Sequence, residues 1–402
     1  MAQAHRRHHR PELFRSRGLS DSGKVSFIEL FFDLIFVFAV TQLSHSLLEN
    51  FTWMGALHTA MLTMAVWWAW NYTTWVINWL SPDALPVRIM LLALMLIGLI
   101  MSTSIPEAFE HAGLYFGISY AAFQIGRTAF TVWALGHGAP VNQINLVRIL
   151  CWLILSGVIW VAGGTQEGEI RLVLWGVALL IDYVAPSLGF WVPRIGRSTA
   201  ADWAVEGAHM AERAGLFIII ALGESIIVMG ATFAGLERNM ETVLAFLVSF
   251  LGTVSMWWIY FETTSRIGHH YIVNASVPGQ LARAAYTYTH LLLAGGIVLS
   301  AVADEFLLGH PTGHLESGVA LVILGSPALY LLSNAIFIWI VSRMFAVPHA
   351  TGLVALAVLS LFSHSLTPLA LSASAVIVLL AVAVWGSRFS NRLCTLVPKH
   401  HG

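Results

Sequence analysis

Apolar residues along this chain gather in long runs that are separated by short polar connectors. Most of these runs reach about 18 residues or more, which is enough for an α-helix to cross the hydrocarbon core of a bilayer. The pattern predicts an all-α integral membrane protein with about twelve transmembrane helices. The expected ranges are residues 27–48, 54–79, 87–105, 113–136, 146–163, 171–190, 208–232, 241–262, 282–302, 318–341, 350–364 and 368–386.

The composition agrees with that pattern, since 57% of the residues are hydrophobic and only 10% are charged. An ordinary soluble domain carries about 25% charged residues. A net charge of −1 argues against nucleic acid as a partner, which leaves membrane lipid and a small ion or small molecule. The two cysteines cannot build a disulfide framework. The scattered histidines His45, His58, His290 and His364 lack zinc-ligand spacing, which leaves a haem held by two of them open, and the residues identify no metal or other cofactor and no oligomeric state.

Basic residues indicate how the helices cross the membrane. If both termini are cytoplasmic, sixteen of the 20 Lys and Arg residues fall on the inner side, and only Arg171 and Arg238 fall outside. Cytoplasmic connectors are enriched in Lys and Arg, so this orientation is the expected one. It gives a basic cytoplasmic tail at residues 1–24, a second tail at 391–402, and acidic outer connectors that include Asp304.

The two halves of the chain resemble each other. The segment 67–74 shares four of its eight residues with the segment 257–264, at an offset of 190, and Asp33 falls over Glu224 at an offset of 191. Matches that keep their order predict a tandem parallel repeat of six plus six helices. The predicted halves are residues 25–200 and 201–390.

Eight charged side chains interrupt the apolar runs of the predicted helices. Each costs about 2.5–3.5 kcal/mol at the centre of a membrane. Because two arginines can neutralise only two carboxylates, the other acids must face water, bind a cation or hold a proton. The acids are Glu29, Asp33, Asp182, Glu212, Glu224 and Glu262, and the cations are Arg127 and Arg213.

Asp33 and Glu224 are the sharpest candidates for a functional site. They occupy matching positions of the predicted repeats, and a carboxylate near the midplane in each repeat would build one central site. Glu29 lies four residues before Asp33, about 40° around the helix, so these two acids can share an ion or a proton. Alternatively, Glu29 is a solvated acid at the end of its helix.

The seventh predicted helix carries a polar stripe. At about 100° per residue, Arg213 and Glu224 fall within about 20° of each other, and His209 lies about 40° from Arg213. His209 and Glu212 are candidates for a cytoplasmic relay, with Arg213 as a gating counter-ion. The alternative is a structural ion pair that joins this helix to a neighbour.

Two further acids have plainer alternatives. Asp182 precedes Tyr183 in the sixth predicted helix, and it could line a site or form a buried pair with Arg127. Glu262 ends the eighth predicted helix one turn before Arg266, a spacing that suits a surface ion pair.

Tryptophans are concentrated in the second predicted helix. Trp67 and Trp68, with Trp257 and Trp258 of the other half, could wall a cavity that stabilises a cation or packs an apolar ligand. Asn71 would add a polar group to that wall. Packing of the core explains the same pattern without a ligand.

Three stretches of the sequence resemble one known family. They are Ser-Phe-Ile-Glu-Leu-Phe-Phe-Asp-Leu at 26–34, His-x-x-Glu-Arg-x-Gly-Leu-Phe at 209–217 with Leu-Gly-Glu-Ser at 222–225, and Asp-Tyr at 182–183 before a proline. On these motifs, nearly the whole chain resembles the bacterial low temperature requirement protein A family. The resemblance implies a multi-pass fold in a bacterial plasma membrane, and it carries no biochemical activity. Ala214 stands where the family usually has a second His, so any role of that His is lost here.

These residues leave three functions open. The first is a transporter or channel, proton-coupled or cation-conducting, in which Asp33 and Glu224 are the exchange site. The second is an intramembrane enzyme on a lipid or isoprenoid, in which the same carboxylates protonate a substrate beside tryptophan faces, as in a terpene cyclase. The third is a structural membrane protein whose acids can be neutralised without loss.

Overall fold

The computed structural model describes residues 13, 25–136, 140–198, 207–273, 281 and 283–396. Within these ranges the chain forms twelve helices and no β-sheet, so the all-α class and the number of helices are confirmed. The helices are α1 (Phe27–Glu49), α2 (Trp53–Ile77), α3 (Leu85–Thr103), α4 (Gly113–Leu135), α5 (Pro140–Gly164), α6 (Gly168–Val184), α7 (Gly207–Ala234), α8 (Met240–Ile259, continued through a π-helical segment Tyr260–Ser265 to Arg266–Val273), α9 (a π-helical segment Arg283–Thr289 continued by His290–Gly309), α10 (Ser317–Ser342), α11 (Val347–Ser360) and α12 (Pro368–Leu396).

Eight of these helices are long and apolar enough to cross a membrane: α1, α3, α5, α7, α8, α9, α10 and α12. Their outward faces carry large apolar side chains, for example Leu96, Ile227 and Ile377, which are 63%, 66% and 66% exposed. Exposed apolar surface on this scale suits lipid rather than water. The chain is therefore a multi-pass membrane protein. The repeat of six plus six helices stays a prediction.

Several helix ends differ from the sequence-based ranges. Helix α5 begins at Pro140 instead of residue 146, and α8 continues past Glu262 to Val273 instead of ending there. Helix α6 stops at Val184 because Pro186, two residues further on, lacks the N–H that a continuing helix needs. Helix α9 runs on to Gly309, so Asp304 lies inside a helix and not in an outer connector. Helix α12 runs to Leu396 instead of ending at residue 386. The predicted tail 1–24 lies outside the described residues except for Leu13, as do residues 397–402.

Helices α1 and α7 lie side by side and run parallel. Polar contacts join residue 29 to 209, residue 33 to 213, and residue 41 to 224, so the two helices run in the same direction. This arrangement fits an even number of membrane crossings from one helix to the other. It places the start of α1 and the start of α7 at the same end of the bundle.

Helices α4 and α5 approach each other closely at glycines. A Cβ atom at Gly117 would lie 2.6 Å from the carbonyl oxygen of Trp160, and one at Gly164 would lie 2.7 Å from that of Gly113. Small residues let membrane helices pack backbone against backbone. The close approach brings the ring of Trp160 toward α6, where it meets an acid described below.

Candidate functional site

Glu29 joins the first turn of α1 to α7. Its Oε2 accepts hydrogen bonds from the backbone N and the hydroxyl of Ser26, at 2.7 and 2.8 Å, which caps the helix. Its Oε1 lies 2.8 Å from Nε2 of His209, and both side chains are fully buried. Nδ1 of His209 lies 3.3 Å from the side-chain nitrogen of Asn78, just past α2. Glu29 is therefore not the solvated end-of-helix acid that the sequence offered as an alternative.

Asp33 lies one turn deeper and pairs with Arg213 of α7. Nη2 of Arg213 and Nε1 of Trp70 both donate to Oδ1 of Asp33, the latter at 2.8 Å. Nη1 of Arg213 also lies 3.8 Å from Oε1 of Glu29, so one guanidinium faces both carboxylates. Glu29, Asp33, His209 and Arg213 are called the ion-pair cluster below.

The Arg213 guanidinium is held by aromatic faces as well as by charge. Its central carbon lies 5.8 Å from the ring centroid of Trp70 and 6.0 Å from that of Phe32. Both distances fall in the range of cation–π attraction. Trp70 therefore contacts both members of the ion pair, since its N–H donates to the acid and its face packs against the cation.

The hydrogen bonding of this pair is incomplete within the described part of the chain. Oδ2 of Asp33 and Nε and Nη1 of Arg213 are buried without a hydrogen-bond partner there. A fork-to-fork arrangement would use both carboxylate oxygens and two guanidinium nitrogens, and is the stronger geometry. The observed pair uses one of each, so it leaves polar atoms for water or a ligand.

Glu224 occupies a separate level of the same helix interface. Its Oε1 accepts a hydrogen bond of 2.8 Å from the hydroxyl of Thr41, and its side chain is half-buried. Thr41 lies eight residues beyond Asp33 on α1, a rise of about 12 Å. Asp33 and Glu224 therefore do not share one central site, because each faces a different partner across the interface between α1 and α7.

Asp182 has neutral partners and is not paired with Arg127. Its Oδ2 accepts from the hydroxyl of Tyr120 at 2.9 Å and from Nε1 of Trp160 at 3.3 Å. Arg127 instead donates to the carbonyl oxygen of Ala69, at 3.2 Å, and packs over a tyrosine ring. The two groups end in different places because a carbonyl of α2 and the aromatic groups around α6 satisfy them separately. The buried pair offered as an alternative is therefore not formed.

The four tryptophans expected to wall one cavity are divided between inside and outside. Trp67 and Trp68 are 2% and 1% exposed, whereas Trp257 and Trp258 are 39% and 37% exposed on the surface of α8. The four rings thus do not enclose a common cavity. Surface rings of this kind suit the lipid boundary.

The buried tryptophans connect α2 to other helices. Nε1 of Trp67 donates to the carbonyl oxygen of Thr287 at 2.7 Å, and the ring of Trp68 stacks on Tyr183 with centroids 4.1 Å apart. Asn71 accepts from the hydroxyl of Thr287 at 3.3 Å. These contacts fit core packing between α2, α6 and α9.

The two remaining acids lie outside the buried site. Glu262 forms an exposed ion pair with Arg266, with Nη1 and Oε2 3.2 Å apart, as the spacing of four residues suggested. Glu212 is exposed, although it lies about one turn after the buried His209 in α7.

Several side chains that complete the sites were not singled out by the sequence. These residues are Trp70, Asn78 and Thr41. Their side chains are uncharged, so only their hydrogen-bond partners on the facing helix identify them as part of a site. His290 was noticed only as a scattered histidine. It is fully buried, with Nε2 2.8 Å from the hydroxyl of Tyr260, at the junction of two π-helical segments.

The twelve helices and the buried ion-pair cluster define a multi-pass membrane protein with a charged interior site. The family model for the bacterial low temperature requirement A protein (LtrA) matches residues 24–384, and the chain belongs to this family. It is also similar to the uncharacterized protein RA0937 of Rhizobium meliloti (strain 1021), with 40% identity over 368 residues that cover 91% of this chain and 90% of the relative. No solved structure matches the chain.

Proposed function

We propose that the protein is a transporter or channel of the bacterial plasma membrane, proton-coupled or cation-conducting, whose ion route follows the interface between α1 and α7. The observation that carries this proposal is the series of acids along that interface. Glu29, Asp33 and Glu224 meet the facing helix at three successive levels. The helix rises about 18 Å between the first and last level, more than half of a hydrocarbon core of about 30 Å.

The contact of Glu29 with His209 is suited to carrying a proton. Histidine is the side chain whose unperturbed titration falls near physiological pH. With 2.8 Å between Nε2 and Oε1, one proton can pass between the ring and the carboxylate. Asn78 can follow either state, because its amide donates to an unprotonated Nδ1 and accepts from a protonated one after rotation of the amide.

Arg213 connects this proton to Asp33. Its guanidinium faces both carboxylates, so a change of charge at Glu29 alters how strongly Arg213 is held by Asp33. The incomplete hydrogen bonding of the pair makes release of Asp33 feasible, since one donor of Arg213 is engaged. Asp33, once released, would pass an ion or proton toward the level of Glu224.

The proposed route also fits the repeat and the orientation predicted from the sequence. Helices α1 and α7 begin the two predicted halves, and a parallel repeat around an axis along the membrane normal brings such helices together in the same direction. With cytoplasmic termini, the ion-pair cluster would receive ions from the inside and Glu224 would lie toward the outside.

The test is ion flux into vesicles that contain the purified full-length protein. Vesicles with a pH-sensitive dye inside receive a proton, Na⁺ or K⁺ gradient under an imposed membrane potential, and flux is compared with that of empty vesicles. Glu29→Gln and Asp33→Asn are expected to abolish the protein-dependent flux. The matched control is Asp83→Asn, which removes a carboxylate 2.9 Å from Arg88 in an exposed ion pair.

Flux that is absent from the wild-type vesicles, or that survives in both Glu29→Gln and Asp33→Asn, would overturn the proposal. In the same preparations, lipid extracts are analysed for a new product. A product that depends on the two acids, in the absence of flux, would assign the enzyme reading instead.

A further inference from the structure

A second polar site lies between four helices of the second half of the chain. A cavity of about 40 Å³ is bounded by α8, α9, α10 and α12. It is lined by Asp304 and by four serines, which are Ser249, Ser300, Ser326 and Ser372. One water needs about 10–15 Å³ of such space, so the cavity has room for a small ion with one or two waters.

The carboxylate of Asp304 is the charged group of this cavity, and it is not neutralised by the lining. No residue that lines the cavity is basic. Oδ2 of Asp304 and the hydroxyl of Ser249 are both buried and lie close enough to interact with each other, but neither forms a hydrogen bond of normal geometry in the described part of the chain. An ionised carboxylate in such a place is costly unless something binds it.

Helix α10 contributes a proline to the same wall. Pro327 lies in the interior of that helix and lines the cavity. It has no N–H to donate to the carbonyl of Ile323, a residue that also lines the cavity. In membrane transporters, carbonyls freed by interrupted helices serve as ligands for Na⁺. The neighbouring Ser326 hydroxyl donates to the carbonyl oxygen of Gly296 at 3.1 Å and so joins α10 to α9.

We propose that this cavity is a binding site for a small monovalent cation of the size of Na⁺, with the Asp304 carboxylate as its counter-charge and the Ser249 hydroxyl as a neutral ligand. The wall offers oxygen atoms, which hard cations prefer to nitrogen or sulfur. One carboxylate balances one positive charge, whereas a divalent ion would leave an uncompensated charge among apolar helices.

The site is separate from the ion-pair cluster. Helix α9 runs parallel to α1, since Val302 of α9 belongs to the same hydrophobic cluster as Leu47 near the end of α1. Asp304 therefore lies toward the opposite end of the bundle from Glu29. Binding is measured without transport, so a failure of this inference would leave the proposed ion route untouched.

Sodium itself is the probe. Equilibrium binding of radioactive Na⁺ to the full-length protein in detergent is measured at constant ionic strength, with choline as the replacement cation, and thermal unfolding is followed in the same buffers. Saturable Na⁺ binding is expected for the wild type. Asp304→Asn is expected to abolish it, and Ser249→Ala is expected to weaken it about tenfold.

Asp83→Asn is the matched control, because its carboxylate is exposed and should leave Na⁺ binding unchanged. Binding should also raise the unfolding temperature in Na⁺ relative to choline, and this difference should vanish in Asp304→Asn. If Asp304→Asn does not fold, Ser249→Ala still tests the site with the carboxylate in place. The inference would be overturned if the wild type showed no saturable Na⁺ binding. It would also be overturned if Ser249→Ala and Asp304→Asn both bound Na⁺ with the affinity of the wild type.

Discussion

Two aspartates inside this bundle are accommodated in opposite ways. Asp33 in α1 is met by a guanidinium of α7 and by an indole N–H of α2, so protein groups compensate its charge. Asp304 in α9 lines a cavity whose other polar groups are hydroxyls and backbone. An aspartate carboxylate thus pairs with side chains of the protein in the first place, and in the second it is the proposed ligand of a bound cation.

The contrast tells how each site can work. At the ion-pair cluster a proton or ion has to compete with Arg213, so occupancy there is coupled to the position of α7 relative to α1. At the Asp304 cavity an ion competes with water and with a proton on the carboxylate but not with a basic side chain of the lining, so binding is expected without a change of helix packing. If both proposals hold, the first site is the regulated one and the second is a simple binding site.

The largest expected effect is that of Arg213→Ala. This change leaves two carboxylates facing each other in a buried site, and it also removes the cation from the faces of Trp70 and Phe32. Breaking a buried pair by removing one partner costs about 3–5 kcal/mol. Thermal unfolding in detergent should show a large loss of stability, and Arg213→Lys should retain more of it.

A second substitution checks the reason for that loss. Adding Asp33→Asn to Arg213→Ala removes one of the uncompensated carboxylates, so the double variant should be more stable than Arg213→Ala alone. If the stability loss of the double variant equals the sum of the losses in Arg213→Ala and Asp33→Asn, the two side chains are not energetically coupled. The ion-pair cluster would then be weaker than its geometry indicates.

The comparison is sharpest when the same substitution is made in both regions. Asp33→Asn should destabilise by about 2–3 kcal/mol, because it leaves the positive charge of Arg213 with Glu29 as its only carboxylate among the described residues. Asp304→Asn in buffer without Na⁺ should be neutral or stabilising, because it removes a charge that the cavity does not neutralise. Unfolding temperatures measured for both variants in choline buffer test the difference in sign. Equal losses in the two variants would contradict it.

Trp70→Phe is expected to have an intermediate effect. The phenyl ring keeps most of the apolar contact but loses the N–H that donates to Asp33 at 2.8 Å. A hydrogen bond to a charged group is worth about 1.5–3 kcal/mol. Trp258→Phe is the control, because that ring lies on the outer surface and donates to the hydroxyl of Ser387. Thermal unfolding should separate the two variants, and equal stability of both would mean that the bond to Asp33 contributes little.

The sequence predicted the fold better than it predicted which residues meet. Long apolar runs reflect a local requirement, the thickness of the bilayer, so the helices could be counted from them. The sequence predicted about twelve transmembrane helices, and eight of the twelve helices are long and apolar enough to span a membrane. A helix end depends on local breakers, and it was misplaced where a breaker lay inside the predicted range, as Pro186 does for α6, or further along the chain. Helix α9 continues through Asp304 because the apolar residues Phe306 to Leu308 extend it to Gly309.

The partners within the candidate site could be predicted only in part. The stripe on α7 and the face of α1 follow from helical geometry, and the sequence brought Glu29, Asp33, His209 and Arg213 into consideration. That Arg213 rather than Glu224 faces Asp33 depends on the register of two helices far apart in sequence. Trp70 and Asn78 carry no charge that would distinguish them from other residues of their helix.

Glu224→Gln should have the smallest effect on stability. Glutamine keeps an oxygen that accepts from the Thr41 hydroxyl, so the loss should stay below about 1 kcal/mol. Ion flux should nevertheless fall strongly if Glu224 lies on the route, because an amide neither binds a proton at physiological pH nor balances a cation. The pair of measurements, unfolding and flux on the same purified variant, separates a residue that conducts from one that only packs. Unchanged flux in Glu224→Gln would limit the route to the ion-pair cluster, and the interface between α1 and α7 would then conduct over two of its three levels.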